Sequence, residues 1–160
     1  MVILYDQFTE AFLFKIKEYD FLDMPEEDRT NIIDGFMMRA FTEFNKILKR
    51  RQYNFPAVKD DTLRQFDFSD EEEFVLEQLE EDIDEIVNII SDGMVLQWLK
   101  PFLNNQELLE NALNTRDFTT YSPAELLKQV KGAYQHTRKE YNQFIREFSY
   151  NHMDLGELHL

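Results

Sequence analysis

Cysteine is absent from the 160 residues. That excludes disulfides, thiolate nucleophiles and thiolate-held zinc, and it is compatible with a reducing compartment. Glycine and proline number four each. The glycines stand singly at 35, 93, 132 and 156, so the chain has neither a Gly-rich phosphate loop nor a GxSxG elbow. The same scarcity argues against extensive disorder. No apolar run reaches the roughly 18–20 residues of a membrane-spanning helix. Met1-Val2-Ile3-Leu4 lacks the charged region and the length of a signal peptide, so a soluble chain with no membrane partner is expected. Basic residues are missing where acidic ones are dense: from Asp60 to Asp92 the sole Lys or Arg is Arg64. With a formal net charge of -15, a protein built chiefly to grip nucleic acid is excluded, because phosphate neutralisation needs an excess of cations.

Catalytic constellations are equally scarce. The three histidines are His136, His152 and His159, and none has a partner at a catalytic spacing. His136 and Glu140 lie one helical turn apart, but two ligands do not make a metal site. His152 and Asp154 read as an incidental pair. The carboxylate-rich stretch lacks the glycine-containing loop of an EF-hand, and nothing pairs its acids with a nucleophile. The expectation is a protein that is not an enzyme, with no catalytic, cofactor-binding or metal-binding residues.

What the chain does hold is aromatic and apolar residues at helical spacing, with 15 Phe, 7 Tyr and one Trp. Phe8, Ala11, Phe12, Ile16 and Tyr19 share one side of a first helix from about Asp6 to Tyr19, and Leu13 and Phe14 widen that arc, so the helix should be buried on more than one side or sit at an interface. Pro25 followed by Glu26, Glu27 and Asp28 starts a second helix, running to about Arg51 and ending on Lys49-Arg50-Arg51, with charges placed to suit the helix dipole. Gln52 to Phe68 is a connection, compatible with a short strand or hairpin arm. Ser69-Asp70-Glu71-Glu72 offers a capping box for a short helix through Phe74, Val75, Leu76 and Leu79. The Glu80 to Glu85 run leads into a further helix that is apolar nearly all round from Ile86 to Leu103, which places it at the centre of a bundle. Pro101 falls near its end. Gln106 to Asn114 make a short helix. Ser122-Pro123-Ala124-Glu125 is the best-specified helix start in the chain, and behind it Leu126, Leu127, Val130, Tyr134, Tyr141, Phe144, Ile145 and Phe148 form one stripe.

The fold expected is therefore all-α: a bundle of four to five helices with a long C-terminal helix and an extended tail. Residues 1–150 form a single helical domain and 151–160 a docking tail. Trp98, Leu99, Leu126, Leu127, Tyr134, Tyr141, Phe144 and Phe148 are assigned to the core or to a subunit interface. Glu71, Glu72, Glu73, Glu77, Glu81 and Asp84 are assigned to an acidic face. Separate basic clusters, Lys46, Lys49, Arg50, Arg51 and Lys59, then Lys128, Lys131, Arg138, Lys139 and Arg146, give the chain a charge asymmetry suited to contacts between copies.

The segment Gly93-Met94-Val95-Leu96-Gln97-Trp98-Leu99-Lys100-Pro101, continued by Leu108-Leu109 and by Asp117-Phe118-Thr119-Thr120-Tyr121-Ser122-Pro123-Ala124-Glu125-Leu126-Leu127, resembles neck proteins of tailed bacteriophages. The group it is similar to is the head-to-tail connector, or adaptor, family. The likeness covers about residues 84 to 158 and rests on packing and turn motifs. It implies a structural virion protein at the capsid vertex, assembled in the host cytoplasm. Such a protein forms a homo-oligomeric ring, commonly of twelve copies, that docks on the portal protein, extends the DNA channel and carries the next neck or tail protein. DNA passes through such a ring without sequence-specific binding, and an acidic wall would let it slide. In adaptors of this kind the C-terminal segment reaches into the portal, which assigns that docking to Met153, Leu155, Leu158 and Leu160. The alternative from another class is an acidic, DNA-mimicking regulator that binds a basic protein partner through Glu71 to Glu85.

Overall fold

The computed structural model describes residues 1–16, 24–50, 57–68, 76–104 and 123–152; the side chains of 76–79, 123, 124 and 126 lie outside that description. Among the described residues the chain forms four helices and three short strands. They are β1 (Val2–Leu4), α1 (Tyr5–Ile16), α2 (Glu26–Arg50), β2 (Val58–Asp60), β3 (Gln65–Asp67), α3 (Leu76–Asn104) and α4 (Pro123–Asn151). The expected all-α bundle with a hairpin arm inside 52–68 is what forms.

The arm is a β2–β3 hairpin, and β1 adds to its other side, giving the antiparallel order β1-β3-β2 with Val2 opposite Asp67 and Val58 opposite the same Asp67. Asp60 makes the turn by accepting the Thr62 and Leu63 N–H groups at 2.9 and 3.0 Å, the self-bonding that favours Asp in turns. Arg64 then takes a left-handed φ of 50°, a conformation that costs a non-glycine residue roughly 1–2 kcal/mol. Its side chain helps to hold it there. The guanidinium donates to both oxygens of Asp34 on α2 at 2.7 and 3.0 Å and lies 5.1 Å from the centre of the Tyr5 ring. Its backbone carbonyl accepts the Tyr5 N–H at 2.9 Å. Beneath the sheet, Phe66 stacks on Phe41 at 4.0 Å and meets Phe8 edge-on at 5.9 Å. The hairpin is thus pinned to the bundle by one fork-shaped ion pair and one aromatic cluster.

α3 packs against α1, α2 and α4, as an all-round apolar helix must. Ile86, Ile89, Ile90 and Met94 are essentially inaccessible to solvent. The tightest crossing is at Gly93, where an added Cβ would sit 2.9 Å from both the Ala40 Cβ and the Tyr141 ring. Glycine here lets three helices approach more closely than any larger residue allows. Tyr141 fills the space and donates its hydroxyl to the Ala40 carbonyl at 3.1 Å; burial pushes its phenol pKa up. α4 runs antiparallel to α3, so that Val130 meets Leu99 while His152 meets Asp82.

Two helix boundaries differ from expectation. Leu76–Leu79 is no separate helix: α3 is continuous from Leu76 to Asn104, because the Glu80–Glu85 run keeps the helical spacing of the apolar residues around it. Phe14 is 81% exposed within the single chain, since α1 packs through Phe8 and Phe12 and Phe14 faces away from them. Leu127, assigned to the core or a subunit interface, is 37% exposed in the single chain; it shares the stripe of Val130 and Tyr141, but lies near the start of α4, at the end of the pair where α3 stops at Asn104. The tail is shorter than expected, because Asn151 still belongs to α4 and the His152 N–H continues the ladder to the Phe148 carbonyl at 3.1 Å. The expected helix over Gln106–Asn114 lies outside the described residues.

Candidate functional site

The polar features of the bundle gather at the two ends of the α3–α4 pair. At the start of α3, Glu80, Glu81 and Asp84 face solvent while Asp82 is 6% exposed. Asp82 and Glu85 stand one turn apart, on the side that meets the end of α4. There the His152 Nε2 lies 3.0 Å from Asp82 Oδ1, and Nδ1 lies 2.8 Å from the Phe148 carbonyl. The Phe148 ring stacks on the imidazole at 4.1 Å. Ligand atoms of Asp82, Glu85 and His152 all fall within 4.8 Å of one another. Burial, more than any neighbouring charge, raises the Glu85 carboxyl, with His152 pulling it down and Asp82 and Glu147 pushing it further up.

The other end carries the opposite charge. A groove of about 420 Å³ is bounded by α2, α3 and α4 and lined by Lys46, Arg50, Lys100 and Arg138, with Glu43 as its one carboxylate. Arg138 donates to the Tyr134 hydroxyl at 3.5 Å. No ion pair among the described residues engages any of these four cations. In a chain of net charge -15, four cations around one concavity make a locally positive surface.

Between the ends, Lys15 of α1 reaches α3. Its ammonium donates to Asp92 Oδ1 at 2.6 Å and to both the carbonyl and the side-chain oxygen of Asn88 at 2.9 and 2.8 Å. The Asp92 carboxyl is nonetheless raised, because burial outweighs the pull of Lys15.

Of the residues assigned from sequence, Leu99, Tyr141 and Phe148 are buried, and Trp98, Tyr134 and Phe144 are half-buried against the core. Trp98 meets Phe102 edge-on at 5.5 Å. Glu81 and Asp84 are exposed, as an acidic face requires. Glu77 lies in α3 and Leu126 in α4, but their side chains are outside the described set. Glu71, Glu72, Glu73 and the tail residues Met153, Leu155, Leu158 and Leu160 are outside it altogether. His136 and Glu140 form an exposed pair at 3.4 Å. The sequence paired His152 with Asp154; the structure pairs it with Asp82, seventy residues away. Sequence reasoning also missed the union of Lys46 and Arg50 with Lys100 and Arg138, since the four come from three different helices. The available signal was the Asp82, Glu85 spacing beside an apolar face.

Comparison with known proteins brings no relative: no family model matches the chain, and no curated protein or solved structure matches it.

Proposed function

We propose that the protein is a structural subunit of the tailed-bacteriophage neck, a head-to-tail connector whose copies form a ring on the portal protein. The ring, commonly of twelve copies, extends the DNA channel and carries the next neck or tail protein. The observation that carries this reading is the separation of charge on one rigid element. Exposed Glu81 and Asp84 stand at the start of α3, and Lys100 of the cationic groove stands about 24 Å beyond Asp84 at about 1.5 Å per residue. Two different, complementary surfaces on one chain are what a heterologous contact needs, and heterologous contacts build a ring where the rotation between copies closes. The half-buried Tyr134, which lines the groove, and Trp98, which packs in the same cluster, supply apolar area there. The tail from Met153 onward is assigned to portal docking, following directly from the end of α4.

The test is assembly. Protein recovered from particles should be multimeric, and a strictly monomeric chain absent from purified virions refutes the reading. Reversing the groove (Lys100→Glu with Arg138→Glu) or the acidic end (Glu81→Lys with Asp84→Lys) should each abolish the ring, and mixing the two variants should restore it. Deleting residues 153–160 should abolish attachment to portal-bearing capsids while leaving the bundle folded. The exposed Glu80, Glu81 and Asp84 also suit a DNA-mimicking regulator; salt-sensitive binding of a basic protein that is lost when those carboxylates are neutralised, with no assembly defect, would favour it instead.

A further inference from the structure

We propose that Asp82, Glu85 and His152 form a binding site for one divalent transition-metal ion of the zinc type, joining the start of α3 to the end of α4. The donor set is one imidazole nitrogen and two carboxylate oxygens within 4.8 Å of one another. A tetrahedral zinc ion about 2.0–2.2 Å from each donor needs ligand atoms a little over 3 Å apart, and the His152 Nε2 to Asp82 Oδ1 distance is 3.0 Å. The Glu85 oxygen, within 4.8 Å of the other two donors, would have to move closer by side-chain rotation when the ion binds.

The imidazole is already oriented for the task. Nδ1 lies 2.8 Å from the Phe148 carbonyl, an oxygen that accepts and never donates, so Nδ1 carries the proton. A metal ion would then take the Nε2 lone pair in place of the proton that Nε2 otherwise shares with Asp82 at 3.0 Å, with the ring held through a backbone carbonyl as in metal-binding histidines. The Phe148 ring stacked on the imidazole fixes its plane. Glu85 makes no hydrogen bond among the described residues, although it is half-buried, and Asp82 is 6% exposed. Two partly desolvated carboxylates beside a neutral imidazole are balanced by a doubly charged ion, whereas an imidazolium balances only one of them. The nitrogen donor selects the metal class: calcium and magnesium demand six or more oxygen ligands or a shell of waters, while imidazole suits zinc, cobalt, nickel and copper. Three protein donors leave one coordination position to solvent. The ion would clamp the last turn of α4 and fix the direction in which the chain leaves it, and it would do so in a bundle of any function.

The probes are Zn²⁺ and Co²⁺ added to chelator-treated full-length protein. Calorimetry should give one ion per chain, and cobalt should produce the intense visible bands of a four-coordinate site. The melting temperature should rise saturably with Zn²⁺ and fall back with chelator. His152→Gln and Glu85→Gln should each weaken binding tenfold or more, in line with the loss of one ligand, while His136→Ala should leave it unchanged. Glu85→Gln removes no hydrogen bond seen in the fold, so it keeps the test valid if His152→Gln unfolds the chain. Weak binding of several ions that is indifferent to Glu85→Gln would overturn the proposal. So would a proton at both nitrogens of His152 that persists in saturating Zn²⁺, which would reduce the cluster to an imidazolium–carboxylate pair.

Discussion

The two ends of the α3–α4 pair are built from the same kind of helix and carry opposite chemistry. At the start of α3 the polar groups turn toward one another: Asp82, Glu85 and His152 meet in a half-dry corner. At the far end Lys46, Arg50, Lys100 and Arg138 ring a groove and find no carboxylate partner in a described ion pair. The difference teaches that the acidic end both joins helices, through Asp82 and His152, and presents Glu80, Glu81 and Asp84 to solvent, whereas the cations of the far end line a groove without a described ion pair. Gly93, between the two, sets the helix spacing on which both depend.

Core truncation should produce the largest effect on the comparison. Phe44 is fully buried and packs on Phe148, which itself stacks on His152. Phe44→Ala should cost about 3–5 kcal/mol in denaturant unfolding and loosen the acidic end before the basic one, seen as faster amide exchange near His152. Gly93→Ala should cost about 1–3 kcal/mol through overpacking, despite alanine's better helix propensity, because its Cβ meets Ala40 and Tyr141 at 2.9 Å. Gly35→Ala is the contrasting case: nothing lies within 4 Å of the added carbon, so stability should rise by about 0.5–1 kcal/mol. Reversal of the groove, Lys100→Glu with Arg138→Glu, should change stability by no more than about 0.5 kcal/mol, since both side chains are exposed, while abolishing assembly by sizing.

The smallest effect is a pH slope. Burial raises the Asp92 carboxyl above its ordinary 3.8, so the folded state holds that proton more tightly than the unfolded chain does. Its contribution to stability is therefore present at low pH and is lost as pH rises from about the ordinary value through the raised one. The stability difference between wild type and Asp92→Asn should accordingly shift against wild type as pH climbs through that window, as measured by urea unfolding at a series of pH values. A shift in the opposite direction would mean that Lys15 dominates over burial.

Much of the helical architecture was legible because periodicity is a local property. Of the predicted stripe of α4, Val130, Tyr141, Ile145 and Phe148 are buried and Tyr134 and Phe144 half-buried, while Leu127 is 37% exposed. The all-round apolarity beyond Ile86 predicts that α3 is central, and it is. β1 escaped notice because three residues, Val2–Leu4, are too few to establish an alternation, and only pairing with β3 makes them a strand. The Asp82–His152 contact and the four-cation groove were invisible for another reason: their members sit on different helices.

The sequence by itself determined which segments become helices, where several begin, and which side of each seeks burial, since spacing and capping act within a few residues along the chain. It also determined the concentration of negative charge between Asp60 and Asp92. The tertiary structure decided which polar groups meet. The close approach at Gly93, the antiparallel run of α4 on α3 and the stop of α3 at Asn104 together place His152 on Asp82, gather the cations from three helices and leave Leu127 partly in solvent. Contacts between residues seventy positions apart depend on how helices cross, and a crossing is set by the side chains of both partners at once.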